Sequence, residues 1–291
     1  MGALRVATRG SALALWQAEA VAARLRRVRA GLCCELVVVG TTGDRRQDLP
    51  IPQMGGQGVF VKEVQAAVLD GRADVAVHSA KDLPSLPTPG LVIAAFPERA
   101  DPRDALVGAA LGELAPGAVV ATGSVRRRVQ LAAARPDLVF TDLRGNIATR
   151  LGRVPPGGAV VVAIAALDRL GLGGRAAQVL DPVDLLPQVA QGALAVECRE
   201  ADAATSSLLA SVDEPAVRAA VEAERAFLAC LGGGCDLPAG ALASLAGDRL
   251  ELDALVASSE GAIHRGRLCG PAGEGVAVGR ALAATLLRSG Q

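Results

Sequence analysis

Lysine is almost missing from this sequence: of its 30 basic residues only Lys62 and Lys81 are lysines, and the rest are arginines. Histidine is as scarce, with His78 and His264 alone, and none of the six cysteines forms a C-x-x-C pair. This poverty of ligands argues against a zinc site, and no metal is expected. Long apolar runs are missing too. The longest, residues 159–167, falls far short of the roughly 18 residues that a membrane-spanning helix needs. The first residues lack the basic, apolar and small-residue pattern of a secretion signal, so a cytoplasmic protein is expected. Net charge of one sign is also absent, since 30 acidic residues balance the 30 basic ones. That argues against a general binder of nucleic acid or of membrane surfaces.

What is present is an ordinary globular composition, 51% hydrophobic and 21% charged over 291 residues, enough chain for two or three domains. The first two thirds alternate short apolar strands with amphipathic helices, the pattern of an α/β fold. Residues 4–8 read as a strand and Ser11 as a helix N-cap. Leu13, Trp16, Gln17, Ala20, Val21 and Leu25 recur behind it at helical spacing. Strands follow at 35–39, 74–78 and 91–96, with a helix over 59–69 that ends at Gly71. After Pro97-Glu98-Arg99-Ala100-Asp101-Pro102 a second run of the same kind begins. Its strands fall at 118–122, 138–141 and 159–164, with helices starting at Ser124 and near Asn146. Thr8-Arg9-Gly10-Ser11 and Thr122-Gly123-Ser124 both turn a strand into a helix, so the two halves echo each other. From Pro215 onward the pattern is helix, glycine-rich loop, three strands near 240–245, 250–256 and 262–268, and a closing helix over 274–287. This last section reads as a small α+β domain.

Three motifs carry chemistry. The first is arginine at strand-to-helix turns, with Arg9 at one and Arg126, Arg127 and Arg128 at another, followed by Arg144, Arg150, Arg153 and Arg169. Helix starts favour anions, and the guanidinium fork matches a carboxylate. The set reads either as the lining of a multiply anionic ligand site or as solvated surface arginine. The second is His78-Ser79-Ala80-Lys81-Asp82-Leu83-Pro84, placed after a buried-type strand, where ligands of α/β sheets usually bind. Asp82 can accept N–H hydrogen bonds and offset developing positive charge, and Lys81 can bind a carboxylate. Spacing alone leaves open a plain Lys–Asp surface pair before a proline turn. The third is Gly232-Gly233-Gly234-Cys235, where flexible glycines leave a thiol sterically open, or where a turn holds a structural cysteine. Gly40-Thr41-Thr42-Gly43-Asp44 and Gly55-Gly56-Gln57-Gly58 fit neither a P-loop nor a dinucleotide fingerprint, and the polar, proline-bearing stretch between them is a candidate mobile lid.

Taken together the stretches resemble the hydroxymethylbilane synthase (porphobilinogen deaminase) family from end to end. The resemblance is carried by Ala7-Thr8-Arg9-Gly10-Ser11-Ala12-Leu13-Ala14-Leu15-Trp16-Gln17, Thr41-Thr42-Gly43-Asp44, Gly58-Val59-Phe60-Val61-Lys62-Glu63 and the His78 to Pro84 motif. Further along it is carried by Gly123-Ser124-Val125-Arg126-Arg127, Leu143-Arg144-Gly145-Asn146-Ile147-Ala148-Thr149-Arg150-Leu151, Asp168-Arg169-Leu170-Gly171-Leu172, Gln191-Gly192-Ala193 and Gly233-Gly234-Cys235. Any one of these is weak, whereas nine in order are specific.

The resemblance implies an α/β fold with two periplasmic-binding-protein-like lobes, a central cleft and a small α+β C-terminal domain. The implied boundaries are residues 1–97 with 192–212, then 98–191, then 213–291. It implies a dipyrromethane cofactor joined to Cys235 through a thioether, and porphobilinogen as the small-molecule substrate of a cytoplasmic monomer. Asp82 is then the catalytic residue and also a cofactor ligand. Lys81, Ser124, Arg126, Arg127 and Arg144 bind the cofactor with it, and Arg9, Ser11, Phe60, Ser79, Arg150, Arg169 and Gln191 bind substrate. Two departures stand out. Gln53 and Gln57 occupy lid positions where many relatives carry lysine, and Asp236 follows Cys235. A non-catalytic two-lobed anion-binding protein would account for the lobes and the arginines, but it gives Asp82 and an open Cys235 no task. A thiol enzyme using Cys235 as its turnover nucleophile lacks a histidine partner.

Overall fold

The computed structural model describes residues 3–41, 58, 61–233, 237–258 and 261–289. The chain forms two compact units, one of Met1–Arg99 with Ala193–Arg218, the other of Ala100–Gly192 with Ala219–Gln291.

The first unit is built on β1 (Leu4–Arg9), β2 (Cys34–Val39), β3 (Val75–Ser79), β4 (Leu91–Ala95) and β10 (Leu194–Arg199). Their order in the sheet is β2-β1-β3-β10-β4. Strand β1 runs parallel to β2 and β3, and β10 lies antiparallel between β3 and β4. Both faces of this sheet are covered, so its strands are apolar runs rather than alternating ones. Val6, Val75, Val77 and Val196 pack with Ala18, Val21 and Leu25 of helix α1 (Ala12–Val28). On the other face Ala7, Val39 and Ala76 pack with Val64, Ala67 and Val68 of α2 (Lys62–Leu69).

The second unit repeats this plan. Its strands are β5 (Asp104–Gly108), β6 (Val119–Ala121), β7 (Val139–Thr141), β8 (Ala159–Ala163) and β9 (Gln178–Val179), in the order β7-β6-β8-β5-β9. Here β6 is parallel to β7 and β8, and β5 lies antiparallel between β8 and β9. Helices α3 (Val125–Ala134), α4 (Ile147–Leu151) and α5 (Ile164–Arg169) follow its parallel strands. The valines of β8 divide between two cores, Val160 and Val162 on one face and Val161 on the other. The same unit holds the antiparallel sheet β11 (Ala239–Ala246), β12 (Arg249–Ala257) and β13 (Ile263–Pro271). It also holds α8 (Gly275–Ser289), which packs on β12 and β13, and the greater part of α7 (Pro215–Cys230). The two α/β lobes and the small C-terminal sheet agree with the fold class expected from the sequence.

Some local expectations need correction. The buried stripe of α1 is Ala14, Gln17, Ala18, Val21, Ala22 and Leu25, whereas Trp16 is 38% exposed. In a chain this rich in alanine, small residues fill the close helix–sheet contact and the larger Leu13 and Trp16 are displaced from it. Strands β5, β9 and β10 were not expected as strands. Strand β9 has only two residues, and β5 and β10 contain buried acidic residues, Asp104 and Glu197, that break an apolar reading. The expected helix over 59–69 is described as α2 from Lys62, residues 59 and 60 lying outside the described residues.

Candidate active site

In the first unit the parallel strands β1 and β3 end on the same edge of the sheet. Arg9 closes β1, and Ser11 caps α1, its Oγ accepting the Ala14 N–H at 3.3 Å. Ser79 closes β3, and a 3-10 turn over Ala80–Asp82 carries Lys81 and Asp82. The Ala80 N–H donates to the Ala193 carbonyl at 3.0 Å, which fixes the start of that turn. Gln17 Nε2 donates to Ser79 Oγ at 2.8 Å, tying α1 to the end of β3. As a result Arg9, Ser11, Gln17, His78, Ser79 and Asp82 line one pocket. Lys81 and Asp82 are both half-buried.

A buried polar group underlies this turn. His78 Nε2 lies 3.1 Å from Glu197 Oε2, in contact but without the alignment of a hydrogen bond. Gln65 Nε2 donates to both oxygens of Glu197, at 3.1 and 2.9 Å, and Thr88 Oγ1 donates to Gln65 Oε1 at 3.1 Å. Helix α2 is thus tied to β10 by side-chain hydrogen bonds, and His78 of β3 meets the same carboxylate.

In the second unit Ser124 caps α3, its Oγ accepting the Arg127 N–H at 3.4 Å. The next three arginines have different surroundings. Arg128 is half-buried and pairs with Asp142 at 2.6 Å. Arg126 and Arg127 are buried, 3% and 6% exposed, and converge on Asp104, which has no exposed surface. Arg126 Nη2 donates to Asp104 Oδ2 and Arg127 Nη2 to Oδ1, each at 2.6 Å. Gln191 Nε2 adds a third donor to Oδ1 at 2.8 Å. Burial alone would raise the Asp104 carboxyl, but the two guanidinium groups outweigh it and hold the group well below the usual carboxylate range. Burial also lowers Arg126, and Asp104 opposes that shift.

The remaining donors of this pair are informative. Nε of Arg126 and Nε of Arg127 are buried with no hydrogen-bond partner. Buried donors are rarely left so, and Arg126 also lines a second pocket with Ser124, Gln188, Leu228 and Leu237. A carboxylate seated in that pocket would meet Ser124 and the Arg126 guanidinium. The residues therefore fit an anionic organic group, and the alternative of a solvated arginine run does not hold for Arg126 and Arg127.

Arg144 lies between β7 and α4, and Arg150 lies within α4 with its Nε donating to the Gly145 carbonyl at 2.8 Å. Arg169 ends α5, buried, and donates from Nη2 to the Gly192 carbonyl at 2.8 Å. Cys235 and Phe60 lie outside the described residues, as do Gln53, Gln57 and Asp236. Sequence reading missed Asp104, Glu197 and Glu224. Each is an acidic residue inside an otherwise apolar strand or helix face, a signal that marks a buried carboxylate held by specific donors.

The chain was compared with known proteins. A family model described as "Porphobilinogen deaminase, dipyromethane cofactor binding domain" matches residues 4–207, and one described as "Porphobilinogen deaminase, C-terminal domain" matches residues 218–288. The porphobilinogen deaminase of Acidothermus cellulolyticus is 49% identical over 300 residues, covering 100% of this chain and 90% of that one. Those of a Roseiflexus species and of Stenotrophomonas maltophilia are each 47% identical. The first covers 99% of this chain and 96% of its own, the second 100% and 98%. Among solved structures, the periplasmic aliphatic sulphonate binding protein SsuA from Escherichia coli aligns with a TM-score of 0.40 at 17% identity, over 79% of this chain and 70% of that one. With two family models covering nearly all of its length and relatives matched end to end, this chain belongs to the porphobilinogen deaminase family.

Proposed function

We propose that the chain is a hydroxymethylbilane synthase. It joins four porphobilinogen molecules head to tail onto a dipyrromethane primer held by a thioether to Cys235, then releases the linear tetrapyrrole by hydrolysis. The observation that carries this reading is the gathering of Asp82 with Arg9, Ser11 and Ser79 around one pocket at the strand ends of the first unit.

Each addition breaks the C–N bond of the substrate's aminomethyl group and forms a C–C bond. The displaced ring proton leaves with ammonia as ammonium. The bound dipyrromethane supplies the pyrrole carbon at which the chain is extended. Asp82 accepts hydrogen bonds from pyrrole N–H groups and offsets the positive charge left on the substrate as ammonia departs. It would also take and return the proton. Lys81, Ser124, Arg126, Arg127 and Arg144 would hold the acetate and propionate groups of the cofactor. The free buried Nε donors of Arg126 and Arg127 support this part. Arg9, Ser11, Ser79, Arg150 and Arg169 would hold those of incoming substrate, Phe60 would stack on a ring, and Gln191 would line the crossover.

Three domains are proposed, residues 1–97 with 192–212, 98–191 and 213–291, acting as a cytoplasmic monomer without a nucleic-acid or membrane partner. The separate antiparallel sheet of β11 to β13 supports the third of these. The deciding experiment is intact mass spectrometry of the purified protein beside a Cys235→Ser variant. A mass excess of two porphobilinogen-derived units, absent from the variant, is expected. No excess, even after incubation with porphobilinogen, would overturn the reading in favour of a non-catalytic anion-binding protein.

A further inference from the structure

We propose that Glu224 is a positioning residue for the paired arginines of the second unit, acting through the backbone of Ala190 and through Gln191 and Asp104. The inference rests on the reading that Arg126 and Arg127 receive cofactor carboxylates.

Glu224 lies in α7 on the face that buries Ala220, Val221, Ala223 and Phe227, and it has no exposed surface. A carboxylate there is costly unless its oxygens are engaged. Its Oε2 accepts the Ala190 N–H at 2.6 Å and its Oε1 accepts the Ala243 N–H of β11 at 2.8 Å. Such charge-assisted bonds to backbone N–H groups are strong and directional.

Ala190 is the non-glycine residue with positive φ among the described residues, at φ 60°. Alanine enters that region only when its surroundings hold it there. The left-handed turn at Ala190, with Gln191 N–H donating to the Gln188 carbonyl at 2.9 Å, sends the Gln191 side chain inward. Gln191 is fully buried, and its Nε2 donates to the Pro102 carbonyl at 2.7 Å and to Asp104 Oδ1 at 2.8 Å. Asp104 in turn holds Arg126 and Arg127. An unbroken series of bonds within the second unit therefore runs from α7, the helix that precedes Cys235 in sequence, to the arginine pair. Releasing Ala190 from Glu224 would withdraw Gln191 from Asp104 and loosen both guanidinium groups.

The test compares wild type, Glu224→Gln, Ala190→Gly and the double variant. Each is scored for covalent primer by intact mass, before and after incubation with porphobilinogen, and for KM and kcat. Glu224→Gln puts an amide NH2 against one of two N–H donors. It is expected to lower primer occupancy severalfold and to raise KM about tenfold with a smaller change in kcat. Glycine adopts the left-handed conformation unaided. Ala190→Gly alone should therefore stay within about twofold of wild type, and in the double variant it should restore most of the lost occupancy and KM. A merely structural Glu224 would show no such rescue. If Glu224→Gln does not fold, Gln191→Ala serves instead and should reproduce the loss of occupancy. A folded Glu224→Gln with wild-type occupancy and KM, absence of rescue in the double variant, or a fully loaded Gln191→Ala each overturns the inference. Wild type that never takes up primer overturns the functional reading along with it, whereas a loaded wild type and an equally loaded variant overturn this inference alone.

Discussion

Asp104 shows how much one side chain can decide. Its carboxylate neutralises part of two guanidinium charges that are almost wholly buried. Asp104→Asn leaves those charges under-compensated and should cost about 3–5 kcal/mol of stability, read from urea unfolding. Because the folded carboxyl is depressed below its ordinary value of 3.8, its contribution is complete above that pH and is lost as pH falls toward the depressed folded value. Acid unfolding of wild type should thus show a component below about pH 4 that Asp104→Asn lacks, checked by circular dichroism. On the proposed reading, Asp82 serves chemistry rather than stability. Asp82→Asn should lower kcat by about 10²–10⁴ while leaving the covalent primer in place. Near-normal porphobilinogen consumption by a loaded variant would remove Asp82 from its role.

At the scale of elements, local chemistry sets most boundaries. Asp202 caps helix α6 (Ala203–Ala210), Oδ1 accepting the Thr205 N–H at 3.0 Å and Oδ2 the Thr205 hydroxyl at 2.9 Å. The Thr205 N–H bond is the main reason its carboxyl lies below the ordinary value. Asp202→Ala should cost about 1 kcal/mol, measurable as a lowered denaturant midpoint with unchanged slope. Gly192 is a second such point. At φ 86° a side chain there would meet the Ala100 carbonyl oxygen at 2.3 Å. Gly192→Ala should destabilise by more than about 1 kcal/mol, visible in the same measurement. Features of this kind were legible in advance. Ser11 and Ser124 announced their helices, and the strand-then-polar pattern of β3 announced the Asp82 turn. The stripe of α1 was misjudged because hydrophobicity ranks tryptophan and leucine above alanine, while close packing against a sheet favours the small side chain. Strands β5 and β10 were missed because an acid inside a short apolar run looks like loop, and only the partners from distant segments make its burial favourable. The convergence of Arg126 and Arg127 on Asp104 is equally invisible in one dimension, since more than twenty positions separate them.

At the scale of the whole molecule, each unit is discontinuous in sequence. The first sheet cannot be completed by the first hundred residues, because β10 fills the place between β3 and β4. A fragment of residues 1–192 should therefore lack a cooperative transition in the fluorescence of Trp16, the single tryptophan, whereas a chain running to residue 218 with the intervening segment retained should regain it. If the shorter fragment unfolds cooperatively, β10 is dispensable to that core. The same strand order bears on how the protein is made. Synthesis proceeds at about 5–20 residues per second, so roughly 5–20 s pass between the emergence of β4 and that of β10. Throughout that interval β3 offers an open edge of unpaired backbone groups, an invitation to stray strands from other nascent chains. The edge has its partner only once residues 194–199 have been made, and a slow-codon pause placed before residue 194 would lengthen the exposure in proportion.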